Sequence, residues 1–290
     1  MRFATFSRGG GVPEVGAVWP SEGLIRPLRD GPLAFGGDMS SLAESYADLS
    51  VDLISRGPAL KLSEVRLLAP ILTPRRNVFC VGKNYKEHAK EFNQSGFDAS
   101  ATEIPEVPII FTKSSGSVIG PGTEISSHSE LTQSLDYEAE LGVVIGRGGR
   151  AISREVALSR VWGYTVINDV TARDLQRRHQ QWFIGKSLDT FCPMGPWIVT
   201  ADEIDPQRLD ISCKVNDEVR QHASTGDMIF DVATLIEVIS KGITLKAGDI
   251  IATGTPAGVG AGFKPPRFLK PADVVSITIE KIGTLTNRVA

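Results

Sequence analysis

Cysteine is scarce in this 290-residue chain, and the three that occur, Cys80, Cys192 and Cys213, are too scattered for a disulfide framework or a Cys-x-x-Cys site. No apolar run reaches the roughly 18 residues a membrane helix needs. The opening Met1-Arg2-Phe3-Ala4-Thr5 lacks the apolar core of a signal peptide. An excess of one charge is missing too: 31 basic against 34 acidic residues leave a net charge of -3, so there is no polyanion-binding footprint. These absences predict a soluble protein of the reducing cytoplasm whose partners include neither nucleic acid nor membrane. Histidine is equally sparse, at four, so each one weighs in a catalytic reading.

What is present is many short strand-like runs, few helices and abundant glycine, which predicts a β-rich α+β fold rather than a regular βαβ sandwich. Residues 1–72 read as a small N-terminal α/β unit, with strands at 2–7 and 12–19 around the turn Gly9-Gly10-Gly11 and a helix near 41–55. Residues 73–290 read as the main domain. No solenoid-type repeat is visible.

The main domain is organised around Asp136-Tyr137-Glu138-Ala139-Glu140-Leu141-Gly142-Val143-Val144-Ile145. A strand has a side-chain period of two, so Glu138 and Glu140 share one face while Tyr137, Ala139, Leu141 and Val143 share the other. Carboxylates held about 6–7 Å apart along a strand resist burial unless something positive compensates them. A hard divalent ion, Mg²⁺ or Mn²⁺, suits oxygen ligands with no Cys or His nearby. Solvated glutamates on a half-buried strand would show the same Glu-x-Glu pattern, so the pair needs corroboration.

Corroboration comes from several places. Residues 77–82 read as a buried strand, followed by a helix over 83–92 that is entered through a capping box of Asn84 and Glu87. His88 and Glu91 lie three apart on that helix and share a face, the way a general base and its orienting carboxylate are built. Residues 93–106 are polar and irregular, and predict a cover over a site. Lys113 ends the strand 108–113 and either meets an acidic substrate or snorkels to the surface. Asp169 closes the strand 161–168 and offers a third oxygen ligand. Thr171 and Asp174 form a second capping box, and Asp231 caps a helix over 232–240.

Two tempting phosphate motifs fail. Gly185-Lys186-Ser187 would need glycine at position 180, where Gln180 stands. Lys186 therefore reads as a single cation aimed at an anionic substrate or developing oxyanion, or as a surface lysine. The loop Gly254-Thr255-Pro256-Ala257-Gly258-Val259-Gly260 lacks the dinucleotide fingerprint, although its backbone N–H groups and Thr255 can hold a carboxylate.

Val81-Gly82-Lys83-Asn84-Tyr85, Glu138-Ala139-Glu140, Asn168-Asp169-Val170-Thr171-Ala172-Arg173-Asp174, Gly185-Lys186-Ser187 and Thr253-Gly254-Thr255-Pro256-Ala257-Gly258 are each weak alone. Their order and spacing together are specific, and from residue 77 to 289 the chain resembles the fumarylacetoacetate hydrolase family, in its longer bacterial form with a small N-terminal unit. The resemblance implies a mixed β-sandwich roll, a homodimer, and a Mg²⁺ or Mn²⁺ site held by Glu138, Glu140 and Asp169. It further implies His88 and Glu91 as the lid-helix dyad, Lys186 as the catalytic lysine, and Gln176 and Thr255 as substrate contacts. The eponymous hydrolase has an additional aspartate ligand and a differently placed histidine; this chain follows the smaller, broader-acting members.

The implied reaction is cleavage beside a small 2-oxo acid. His88, oriented by Glu91, would activate water, and a 2,4-dioxo acid such as an acylpyruvate would yield a 2-oxo acid and a carboxylic acid. Decarboxylation of an oxaloacetate-type acid and isomerisation of a 2-hydroxy-diene dioate are the alternatives that use the same site. A metal-binding scaffold without catalysis is the competing class.

Overall fold

The computed structural model describes residues 1–28, 38–45, 58–97 and 104–290. The strand-rich α+β fold expected from the sequence is what the chain adopts. Its spine is a twelve-stranded mixed sheet. Within it Cys192–Thr200, Val161–Asn168, Ala139–Ile145, Ile250–Ala252, Val78–Gly82 and Ile109–Lys113 lie side by side. Neighbours in this series are antiparallel, except that Ile250–Ala252 runs parallel to Val78–Gly82. A second, four-stranded antiparallel sheet is built from Glu218–Ser224, Asp210–Val215, Val274–Ile279 and Gly283–Arg288.

The two faces of Ala139–Ile145 explain the layering. Ala139, Leu141, Val143 and Ile145 enter the core shared with Ile211, Cys213, Ile277 and Leu285 of the smaller sheet. Val144, of opposite parity, joins a second core with Phe3, Val15, Leu42 and Ile198. A period of two thus buries the strand on both sides. The carboxylates of Glu138 and Glu140 belong to the parity of Val144.

The strands of the N-terminal unit extend the same sheet: Arg2–Ser7 pairs with Cys192–Thr200, and Glu14–Trp19 and Leu24–Pro27 follow outward. Of the helix expected near 41–55, Met39–Ser45 is observed and the remainder lies outside the described residues. Part of the expected cover, residues 98–103, lies outside them as well. Among the described residues no helix is long and apolar enough to cross a membrane.

Candidate metal centre and active site

Register brings the acids together. Ala139 pairs with Asn168, and beyond that pair the Asp169 N–H donates to the Glu138 carbonyl at 2.9 Å, while the Glu138 N–H donates to Asn168 Oδ1 at 3.1 Å. The result is that Glu138, Glu140 and Asp169 each present a carboxylate oxygen within 4.8 Å of the others, and all three are buried. The set contains only hard oxygen donors, which suits a divalent cation such as Mg²⁺ or Mn²⁺ better than zinc.

The surrounding cations are unevenly shared. Lys186 Nζ donates to Glu138 Oε2 at 2.7 Å and to Asp169 Oδ2 at 2.8 Å. Arg173 places Nη2 2.7 Å from Glu138 Oε1 and donates from Nε to Asp136 Oδ2 at 2.8 Å. Burial alone would raise the Glu138 carboxyl, but Lys186 and then Arg173 outweigh it and hold the group down at about 2. Glu140 has no ion pair among the described residues and accepts only the Gly254 N–H, at 2.8 Å. Burial, reinforced by the charges of Asp169 and Glu138, pushes its carboxyl well above the ordinary range. A buried carboxylate in that position calls for a cation, and the donor set fits one.

Glu138 and Glu140 line a narrow cavity of about 20 Å³, together with His88, Gln176, Trp182 and Thr255. That volume holds roughly one water. His88 is 4% exposed, and its Nδ1 lies 3.3 Å from Glu91 Oε2. This contact leaves Nε2 as the ring nitrogen for the cavity. Trp182 packs edge-on to Phe92 of the Lys86–Gln94 helix and to Phe111, closing the side of the chamber.

The predicted residues divide into three groups. His88, Glu138, Glu140, Gln176, Lys186 and Thr255 meet in the one cavity, with Asp169 in the carboxylate trio. Glu91 stands behind His88, where both its oxygens accept the Gly258 N–H at 2.9 and 3.1 Å. Lys113 is neither at the surface nor in the cavity. It is fully buried, donating to Asp169 Oδ1 at 2.6 Å, to the Val170 carbonyl at 2.9 Å and to the Lys186 carbonyl. An ammonium has three protons, so all are spent and none remains for substrate.

The glycine-rich loop holds carboxylates through its N–H groups as expected, whereas Thr255 does not take part. Its N–H groups hold the chain's own carboxylates, Glu140 through Gly254 and Glu91 through Gly258. Gly254 has φ +98°, and a Cβ there would come within 2.7 Å of the Asn84 Cβ. Thr255 Oγ1 accepts from Gln221 Nε2 at 2.8 Å, which directs the hydroxyl proton elsewhere.

Both capping boxes beside the site are absent. The helix Lys86–Gln94 starts after Tyr85 with no side-chain cap. Asn84 instead donates to the Phe230 and Thr253 carbonyls at 3.0 and 2.7 Å and accepts from the Phe230 N–H at 2.8 Å. Thr171 Oγ1 donates to the Asp169 carbonyl at 2.9 Å, and Asp174 accepts from Thr132 Oγ1 at 2.6 Å. Sequence reasoning missed Arg173 and Asp136. Asp136 has the parity of Glu138 and Glu140, and Arg173 lies inside a quoted motif; those were the available signals.

Comparison with known proteins agrees with this geometry. Residues 77–290 match the family model described as fumarylacetoacetate (FAA) hydrolase, C-terminal. The chain is 56% identical over 229 residues to oxaloacetate tautomerase YisK of Bacillus subtilis (strain 168), spanning 79% of this chain and 74% of that protein. It is similar in structure to a fumarylacetoacetate hydrolase from psychrophilic Exiguobacterium antarcticum, with a TM-score of 0.86 and 44% identity over 100% of this chain and 99% of that one. It is also similar to maleylpyruvate hydrolase from Sphingobium sp. SYK-6 in complex with manganese(II) ion and pyruvate, with a TM-score of 0.78 and 28% identity over 100% and 99% of the two chains.

Proposed function

The chain belongs to the fumarylacetoacetate hydrolase family, and from that premise we propose that it is a divalent-metal-dependent enzyme that moves a proton between carbon and oxygen of a small 2-oxo acid. Keto–enol tautomerisation of an oxaloacetate-type acid is the reading the site supports best. The observation that carries it is the division of labour between Lys186 and His88, two of the basic side chains that line the cavity. Burial would lower the Lys186 ammonium, but Asp169 and Glu138 raise it above its ordinary value, so Lys186 keeps its proton and acts as a donor. His88, with Nδ1 beside Glu91, is left to take and return one, and imidazoles exchange protons near neutral pH.

Glu138, Glu140 and Asp169 would hold Mg²⁺ or Mn²⁺, which supplies electrophilic stabilisation of negative charge at the 2-oxo oxygen. The chain's own residues do the rest. Lys186 donates toward the same developing charge. His88 Nε2 removes the proton from the carbon between the carbonyl groups and delivers it to oxygen, or the reverse. Glu91 keeps the imidazole in one orientation through the step. Phe92, Phe111 and Trp182 exclude bulk water, which limits exchange of the proton being moved. The 56% identity to an oxaloacetate tautomerase points the same way.

A second reading, hydrolysis of an acylpyruvate, is supported by the same His88–Glu91 pair, which can activate water as readily as it abstracts a proton. The chain is further proposed to work as a cytoplasmic homodimer, which sedimentation would check. The deciding experiment follows oxaloacetate enol absorbance and acylpyruvate cleavage side by side, with Mg²⁺ or Mn²⁺ and with chelator. Metal-dependent enol–keto conversion that exceeds acylpyruvate cleavage, and that drops at least about 10²-fold in His88→Ala, is expected. Dominant cleavage to pyruvate and an acid would replace the first reading with the second. Metal binding without either reaction would remove both.

A further inference from the structure

Asp136 takes no part in the proton-transfer chemistry, yet it joins the two halves of the site. It is fully buried. Its two-residue strand, Leu135–Asp136, pairs with Thr171–Ala172, and the chain then turns into the Arg173–Arg178 helix. The pairing sets Asp136 beside Arg173, although the two are 37 positions apart.

The carboxylate accepts four N–H groups. Oδ1 takes those of Tyr137 and Gly260 at 2.9 and 2.6 Å, and Oδ2 takes those of Ala261 and Arg173 Nε at 2.9 and 2.8 Å. Because every partner is a donor, a carboxylate satisfies them all, whereas an amide of the same shape would turn its NH₂ toward two of them.

Two of these donors lie in the Gly260–Gly262 turn, which cradles Glu91. On one side the Gly258 N–H donates to both Glu91 oxygens. On the other, Gly262 comes so near that a Cβ on it would fall 2.1 Å from Glu91 Oε1. The stretch between these two grips is pinned to Asp136, and it fits only as glycine at 260, where a Cβ would stand 2.6 Å from Asp136 Oδ1.

The other anchor leads to the same helix. Arg173, held by Asp136 through Nε, places Nη2 2.7 Å from Glu138 Oε1, and its guanidinium lies 5.4 Å from the centroid of the Phe92 ring. Phe92 and Glu91 both belong to the Lys86–Gln94 helix that carries His88. One buried carboxylate is thus fastened to the metal centre on one side and to the surroundings of the base on the other. A purely structural Asp136 would govern stability alone; one that positions Glu91 also governs which imidazole nitrogen carries the proton, because Glu91 faces His88 Nδ1.

Resting on the reading of His88 as the base that moves the proton, we propose that Asp136 is a positioning residue. Through the turn 258–262 it holds Glu91 where it fixes the His88 tautomer, with the proton on Nδ1 and Nε2 left for the substrate.

Tautomer and rate are measured separately, both on Mg²⁺-loaded protein. At about pH 8, where an ordinary imidazole is neutral, nitrogen-15 NMR should show wild-type His88 protonated on Nδ1 alone, its signal identified by loss in His88→Asn. Asp136→Asn should mix the two tautomers. Gly260→Ala should do the same, since it leaves Asp136 in place and presses the turn away from it; this second variant decides the matter if the first does not fold. Each should lower kcat at least about 10-fold, the sensitivity expected of a misplaced base. In a Glu91→Gln background Gly260→Ala should cost no more than about twofold further, because the orientation it disturbs is already lost. A pure Nδ1-protonated tautomer in every folded variant, or a Gly260→Ala loss that multiplies in full with that of Glu91→Gln, would overturn the assignment. The NMR arm needs no turnover, so it decides the role of Asp136 independently of which reaction the site performs.

Discussion

Glu91 and Gly258 are joined by a forked contact in which both carboxylate oxygens accept one backbone N–H, at 2.9 and 3.1 Å. The same carboxylate faces His88 Nδ1 at 3.3 Å. Gly258 has φ +101°, and a Cβ on it would fall 1.9 Å from the Arg220 carbonyl oxygen. The loop therefore comes this close only as glycine, and the carboxylate that orients the proposed base from their shared helix is itself held from a different part of the chain.

This relationship predicts a specific phenotype for Glu91→Gln. The amide oxygen can still take the Gly258 N–H, but the amide nitrogen would then present a donor to His88 Nδ1 and favour the opposite tautomer. We expect kcat to fall about 10²-fold while Mg²⁺ affinity stays at the wild-type value. Steady-state kinetics with a parallel metal titration checks this; loss of metal affinity would show that Glu91 supports the acids instead.

Lys113→Met should be a stability variant. The substitution strips Asp169 Oδ1 of its buried partner and leaves the Val170 and Lys186 carbonyls unpaired. Breaking a buried ion pair from one side costs about 3–5 kcal/mol. Urea unfolding should register a loss of that order. A loss below about 1 kcal/mol accompanied by a raised KM would return Lys113 to a substrate-contact role.

Saturating Mn²⁺ should stabilise the native chain. At a hundred times Kd the linkage is about 2.7 kcal/mol, which corresponds to a melting shift of about 5 °C for a chain of this size. Glu138→Gln and Glu140→Gln should each abolish the shift, and chelator should reverse it in wild type. An undiminished shift in both variants would place the ion elsewhere.

Much of this arrangement was legible in residue order, and where it was not the reason is physical. Strand parity alone put Glu138 and Glu140 on one face, and Asp231 caps Val232–Ser240 by accepting the Thr234 N–H at 2.8 Å, as its position predicts. The identical local rule failed at Asn84 and Thr171. Those two stand beside the acids, where long-range demands outcompete a helix cap: Asn84 braces the start of the glycine loop, and Thr171 braces the turn after Asp169. Lys113 misled for a related reason, since a cation at the end of an apolar run looks the same in sequence whether it meets water or a buried aspartate. Arg173, spanning Asp136 and Glu138 across 37 and 35 positions of chain, shows in the sequence only through its place inside a motif, because both of its partners are distant in the chain. Disagreement with local propensity clusters at the site, as expected where function competes with folding.

The unequal treatment of the two glutamates gives the last prediction. Glu138 is held down at about 2 by Lys186 and Arg173 against its burial, whereas burial, Asp169 and Glu138 push Glu140 well above the ordinary range. Without metal, the folded chain thus keeps a proton on this acid cluster at pH values where the unfolded chain has lost it. A group raised in this way contributes stability that is complete below the ordinary carboxylate range and is lost as pH rises through the folded value. The Glu138 contribution has the opposite sense, present above the ordinary range and lost only as pH falls toward about 2. A divalent ion must displace the Glu140 proton, so metal affinity should rise with pH through the raised range, and binding should release protons. Calorimetric titration of Mg²⁺ in two buffers of different ionisation enthalpy measures that release directly. Heats that do not depend on the buffer, together with an affinity flat in pH, would mean that the trio is already fully ionised and that the neighbouring cations, rather than a proton, compensate Glu140.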